Sequence, residues 1–236
     1  MASKHFKNGL IAGLPVVFGY IPVGIAFAIL ARQAGFNLWE TCSFSIFVYA
    51  GASQMMAAGM YAQGAGIAAI VLATFILNLR HIIMSACILN RMDDVHLWKK
   101  LAAMFGTTDE SFAVFTTEKK ENCTLAFFAG VVVTTYLSWN VGTLLGAILS
   151  DFLPEIITAS LGIALYALFI SLLVPKISGN LRLVALAVLT GLCNLVLCQF
   201  MESSWALIAS TLLCAFIGVF FVRDEDLGEE AQTNEA

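Results

Sequence analysis

Long apolar runs separated by short polar turns organise the chain. Strongly apolar spans cover residues 9–31, 41–62, 65–90, 124–149, 156–175, 183–201 and 205–222. A weaker one, 101–117, is interrupted by Asp109 and Glu110. The connections are brief and polar: Arg32 to Glu40, Arg91 to Lys100, Glu118 to Asn122, Pro175 to Arg182. The first span is 23 uncharged residues, and at helical rise it reaches about 34 Å, enough for the ~30 Å hydrocarbon core of a bilayer. Lys4 and Lys7 precede it as in a signal peptide, but an apolar signal core runs only about 7–15 residues, so the segment is expected to be the first crossing. Only helices and closed barrels satisfy their backbone inside lipid, and these runs are too long and continuous for barrel strands. The pattern predicts an all-α, polytopic integral membrane helical bundle of 7–8 transmembrane helices.

Composition agrees. The chain is 60% hydrophobic and 12% charged, against about 25% charged in soluble domains. The net charge of −4 comes from residues 223–236, which carry −5, leaving the remainder at +1. Residues 1–222 are therefore expected to form the transmembrane transport domain and 223–236 a disordered acidic tail. No basic patch with interleaved aromatics points to nucleic acid. The six cysteines read as apolar packing residues, and His5, His81 and His96 are scattered, so no metal is expected. No phosphate loop or other cofactor motif is present. With eight crossings and a cytoplasmic N-terminus, seven Lys/Arg fall inside and four outside, with Arg80 in the membrane, a modest positive-inside bias.

A degenerate internal repeat of two halves is visible at an offset of 116–118 residues. Pro22-Val23-Gly24 matches Asn140-Val141-Gly142, Val48-Tyr49-Ala50 matches Leu165-Tyr166-Ala167, and Asn78-Leu79 matches Asn194-Leu195. Duplicated halves are common in secondary transporters.

The candidate chemistry lies where polar residues enter apolar spans. Residues 41–79 contain no charge, and then Arg80 and His81 stand together. Intramembrane ionisable groups cost about 2.5–3.5 kcal/mol each and mark function by default. Arg80 stays charged, so it must pair, snorkel or face a cavity. Adjacent acids on a helix diverge by roughly 100°, so only one of Asp109 and Glu110 is expected to meet Arg80, leaving the other for a proton or an ammonium group. Thr41, Ser45, Tyr49 and Ser53 form a polar stripe that ends in Gly51-Ala52-Ser53-Gln54, and Thr74, Asn78, His81 and Ser85 form another. Pro15, Pro22 and Gly24 suggest a broken or kinked first helix.

Pro22-Val23-Gly24-Ile25-Ala26-Phe27, Tyr49-Ala50-Gly51-Ala52-Ser53-Gln54, Arg80-His81 and Thr108-Asp109-Glu110 together resemble the AzlC family, from about residue 9 to 222. The resemblance implies a subunit of a branched-chain amino-acid exporter in the bacterial inner membrane, proton-coupled and working with a small AzlD-type membrane subunit. It implies no enzyme activity. A zwitterionic substrate would need a cation or helix N-terminus for its carboxylate, which Arg80 or the backbone near Gly51 to Ser53 can supply. Tyr49, Gly51, Ser53, Gln54, Asn78 and Arg80 are candidates for substrate, and His81, Asp109 and Glu110 for proton coupling. Two other readings stay open: a channel or permease for another small solute, and an intramembrane serine hydrolase using Ser53 and His81.

Overall fold

The computed structural model describes residues 2–92, 96–152, 170, 174 and 180–221, and among these every regular element is helical. The expected span 156–175 apart from residues 170 and 174, the Leu165-Tyr166-Ala167 half of the repeat and the tail 223–236 lie outside the described residues. The chain divides into two compact units, Met1–Gly64 with Thr74–Gly162 and Ala65–Ala73 with Ile163–Ala236.

In the first unit, α1 (Ala2–Ala12) and α2 (Leu14–Gln33) meet at Gly13, and Pro15 occupies the first turn of α2, where its missing N–H costs nothing. Pro22 lies inside α2, which continues past it to Gln33, so neither Pro22 nor Gly24 ends the helix. Glycine instead lets this helix pack against α8 (Leu125–Leu149). A Cβ on Gly24 would stand 2.9 Å from the Trp139 carbonyl oxygen, and one on Gly142 would stand 2.6 Å from that of Ile21. Farther down, Gly130 meets the Phe6 carbonyl and Gly9. Residue numbers rise together along both helices, so α1–α2 and α8 run parallel. The matched motifs around Gly24 and Gly142 thus lie against each other.

Two expected crossings are hairpins. Residues 41–62 form α3 (Leu38–Phe47) and α4 (Gly51–Ala62), joined by a tight turn. α3 descends against α8: Ser45 reaches Thr143, the Ile46 carbonyl accepts from Tyr136 and Tyr49 reaches Thr135. α4 then climbs back, bringing Tyr61 to within 4.7 Å, ring to ring, of Phe36, which precedes α3. The reversal is held by side chains. Gln54 Oε1 accepts from the Ala50 N–H, Gln54 Nε2 donates to Ser45 Oγ, and Ser53 Oγ donates to the Ala50 carbonyl. These replace the backbone bonds a break would leave unmade in lipid. An apolar window cannot separate one crossing from two half-crossings, because the summed length is the same.

The segment 101–117 behaves likewise. α5 (Ile67–Arg91) is a full-length crossing helix antiparallel to α8: Ile88 packs with Phe127 and Phe128, while Arg91 donates to Cys123 Sγ. After α6 (Leu97–Met104) the chain turns at residues 105–108, and α7 (Asp109–Thr117) returns beside α5. Asp109 meets Arg80 at one end of α7, and the Glu118 carbonyl accepts from Arg91 at the other. The second hairpin therefore enters from the end where α8 begins, opposite to the first.

This arrangement redistributes charge. Lys4, Lys7, Arg91, Lys99, Lys100, Lys119 and Lys120 share the end at which α1 and α8 start. Arg32 stands at the other end, in an ion pair with Asp151. Eight simple crossings would divide these same eight residues four against four. In the second unit, α9 (Leu181–Leu197) and α10 (Ser203–Phe221) form an antiparallel pair. The Leu186 side chain lies over Gly218, and Asn194 Nδ2 donates to Ser210 Oγ at 3.3 Å.

Candidate functional site

The tips of the two hairpins meet beside the midpoint of α8. The Tyr49 and Phe105 rings lie 6.2 Å apart, and both pack on Tyr136, at 4.9 and 6.1 Å. Tyr49 takes φ = +44°, the left-handed region that a bulky residue rarely adopts. Its buried side chain holds it there, with Oη donating to Thr135 Oγ1 at 3.0 Å. Such strain costs about 1–3 kcal/mol and gathers at functional sites.

Around these tips the structure assembles the predicted residues. Arg80 Nη1 donates to Asp109 Oδ2 at 2.7 Å, with both side chains more than a third exposed. Glu110 faces away from that pair. Its Oε2 lies 2.6 Å from Tyr20 Oη on α2, which is also 2.8 Å from Thr108 Oγ1. The phenol has one proton and gives it to the stronger acceptor, the carboxylate, so the threonine hydroxyl donates to the phenol. The two acids thus diverge as helical geometry requires. Asn78 Nδ2 donates to Ser53 Oγ at 3.1 Å, and His81 Nδ1 lies 3.2 Å from the Asn78 carbonyl oxygen. Asn78 Oδ1 and Arg80 Nε are buried without a hydrogen-bond partner. Each is spare bonding capacity, an acceptor and a donor respectively.

The two inward helix ends differ. Thr108 caps α7 through Ser111 N, and Asp109 and Glu110 occupy its first turn. α4 begins after Ala50, which has no capping side chain, and no acid stands in its first turn. One tip is therefore acidic and satisfied, while the other presents unneutralised N–H groups and the positive end of a helix dipole.

The sequence stripe Thr41, Ser45, Tyr49, Ser53 does not form one face, since its members divide between α3, the turn and α4. Tyr20, Thr135 and Trp139 escaped sequence reasoning. Trp139 joins four helices: its Nε1 donates to Ser45 Oγ, its ring stacks on Phe27 at 6.1 Å and meets Tyr20 edge-on at 5.5 Å, and it underlies Gly51. A Cβ on Gly51 would come within 2.7 Å of the Trp139 ring. Gly51→Ala is expected to cost about 1–3 kcal/mol through overpacking. Thermal unfolding in detergent reads this as a lowered midpoint, and an unchanged midpoint would show that the ring yields freely. The signal that could have found Tyr20 and Trp139 is a lone polar-tipped aromatic within a span, which has to find a partner when buried.

These features define an integral membrane protein with two opposed re-entrant hairpins closing on an ionised cluster. The chain belongs to the AzlC family: the family model described as AzlC protein matches residues 15–153. It is 35% identical over 180 residues to an uncharacterized membrane protein of Archaeoglobus fulgidus, covering 75% of this chain and 78% of that one. It is 32% identical to the inner membrane protein YgaZ of Escherichia coli, covering 80% of each. The branched-chain amino acid transport protein AzlC of Bacillus subtilis is 25% identical over 72% of this chain and 67% of its own length. No solved structure matches the chain significantly.

Proposed function

We propose that the chain exports branched-chain amino acids across a bacterial inner membrane in exchange for protons, together with a small membrane subunit. The observation that carries this reading is the polarity of the two hairpin tips, which suits a zwitterion. The substrate carboxylate sits at the open N-terminus of α4, beside Arg80, whose Nε is unpartnered. The ammonium sits at Asn78 Oδ1, within the field of the acidic tip of α7. The branched side chain packs against the apolar ring faces near Phe105 and Tyr136. The name of the Bacillus subtilis relative supports the substrate class. The seven cations at the end where α1 starts, against Arg32 at the other, support a cytoplasmic N-terminus.

The partner subunit rests on the family resemblance, and the proton on Glu110, a carboxylate whose hydrogen bond is to a phenol rather than to Arg80. A hydrolase reading draws no support from the geometry. Ser53 Oγ is bonded to the Ala50 carbonyl and Asn78, and His81 lies against the Asn78 carbonyl instead of Ser53. Nothing in the site favours a passive channel over a carrier.

The test is efflux of labelled leucine, isoleucine and valine from proteoliposomes under an imposed pH gradient, with and without the co-purified small subunit. Saturable, gradient-dependent efflux that Arg80→Ala lowers by about tenfold is expected, or about 1.4 kcal/mol, less than the roughly 2–5 kcal/mol of a buried charge pair because both side chains are more than a third exposed. Flux without saturation or pH dependence would make the chain a channel.

A further inference from the structure

The first six helical segments after α1 repeat themselves. α2 ends at Gln33 and α5 at Arg91, 58 residues apart; α3 begins at Leu38 and α6 at Leu97, 59 apart; α4 begins at Gly51 and α7 at Asp109, again 58 apart. Asn37-Leu38-Trp39 and His96-Leu97-Trp98 open the hairpins in the same register, and both tryptophans are exposed, as interfacial anchors are. α2 runs parallel to α8 and α5 antiparallel to it, so each copy is one crossing helix plus one hairpin, and the two copies are inverted. This period is half that of the sequence repeat.

Contacts between the copies are reciprocal. Tyr20 of the first crossing helix holds the tip of the second hairpin through Thr108 and Glu110. Asn78, 58 residues on, holds the first hairpin through Ser53. Each crossing helix thus latches the hairpin of the other copy, and the hairpins enter from opposite ends of the unit.

We infer that the hairpins are a pair of alternating gates, the Tyr20 latch closing the central cluster to the lysine-rich face and the Asn78 latch closing it to the Arg32 face. Inverted copies around a central site provide two equivalent states of opposite access. Only the inward tips separate when a latch opens, since the outer ends are tied by other contacts: Arg91 to the Glu118 carbonyl, and Phe36 to Tyr61. The inference does not depend on which solute is carried.

The experiment uses the full chain in vesicles of known orientation, with its six cysteines replaced and Thr135→Cys as reporter beneath the tips. A membrane-impermeant thiol reagent is applied to either face. Tyr20→Phe is expected to raise labelling from the lysine-rich face by at least about tenfold, the population change that follows loss of a hydrogen bond to a charged group. Asn78→Ala, which removes a neutral bond, is expected to raise labelling from the opposite face by about fivefold. Thr108→Val and Ser53→Ala open the same latches from the hairpin side and must reproduce the two signs, which separates gating from damage to α2 or α5. Monodisperse elution qualifies each variant. Labelling that rises on one face for all four, or on both faces equally, overturns the inference. Opposed labelling without leucine flux would leave the gates standing and remove the substrate assignment, whereas leucine flux with unsided labelling would do the reverse.

Discussion

Glu110→Gln is expected to lower proton-driven efflux by at least about tenfold while leaving counterflow exchange of the amino acid nearly intact, a loss inside the 5–150-fold range of ordinary coupling energies. The reason lies in how the two acids are used. Asp109 is committed to Arg80 at 2.7 Å, and Glu110 to Tyr20 at 2.6 Å. A proton on Asp109 would leave Arg80 without its counter-charge, whereas a proton on Glu110 only turns a charge-assisted bond into a neutral one of roughly half the strength. That weaker bond is also the latch on the second hairpin, so taking up a proton and loosening a gate are one event. The charged and titratable groups near it are Asp109 on the same hairpin, Arg80 and His81 on α5, and the Tyr20 and Tyr49 phenols. The assay is efflux at several external pH values in proteoliposomes. Asp109→Asn serves as the comparison: it should reduce exchange and gradient-driven efflux together, because it unseats the hairpin. Full pH dependence in Glu110→Gln would move the proton elsewhere, with His81 the next group to test.

Sequence reasoning reached the class of fold, the family and most of the cluster. Unpaired charge in an apolar run is expensive, so Arg80, His81, Asp109 and Glu110 stand out whatever the topology. The divergence of neighbouring acids on a helix also holds from sequence alone, since it needs only the 100° step. Topology was not legible. Residues 41–62 have the length and apolar content of one crossing, and what turns them into a hairpin is a handful of polar side chains. Gln54, in the sequence the last residue of the run Gly51-Ala52-Ser53-Gln54, is the group that closes the turn by reaching Ala50 N and Ser45 Oγ. In 101–117 the acids were read as weakening a crossing, yet they mark the first turn of an inward helix end, capped by Thr108. The sequence match at 116–118 residues is twice the structural period, and its Leu165-Tyr166-Ala167 half lies outside the described residues. Tyr20 and Trp139 do not stand out by apolar score, which is the same for an aromatic in lipid and one in a site; only the need of a buried polar tip for a partner marks them.

Gly142→Ala is expected to be strongly destabilising, and Gly19→Ala, two residues before Ile21 on α2, to be harmless or mildly stabilising. The chemical change is identical, so the difference isolates packing. At Gly142 the added carbon would lie 2.6 Å from the Ile21 carbonyl oxygen and 3.0 Å from its Cα. Both are backbone atoms of α2 and cannot rotate away. Relief requires the two helices to move apart, which also loosens Gly24 against Trp139 and Gly146 against Ile25. Close backbone approach between small residues is a main source of helix association in lipid, where burial of apolar surface gives no advantage. At Gly19 nothing lies within 4 Å of the new methyl, and alanine favours the helix by up to about 1 kcal/mol. A loss of about 3 kcal/mol at Gly142 corresponds to a midpoint lowered by roughly 6–12 °C for a unit of this size. Thermal unfolding of the two variants side by side in one detergent gives the answer, and equal midpoints would mean that α2 and α8 are not held by this seam. The same seam positions Tyr20 over Glu110 and Trp139 under Gly51. Gly142→Ala should therefore slow transport even at temperatures where the protein stays folded, a loss that Gly19→Ala does not share.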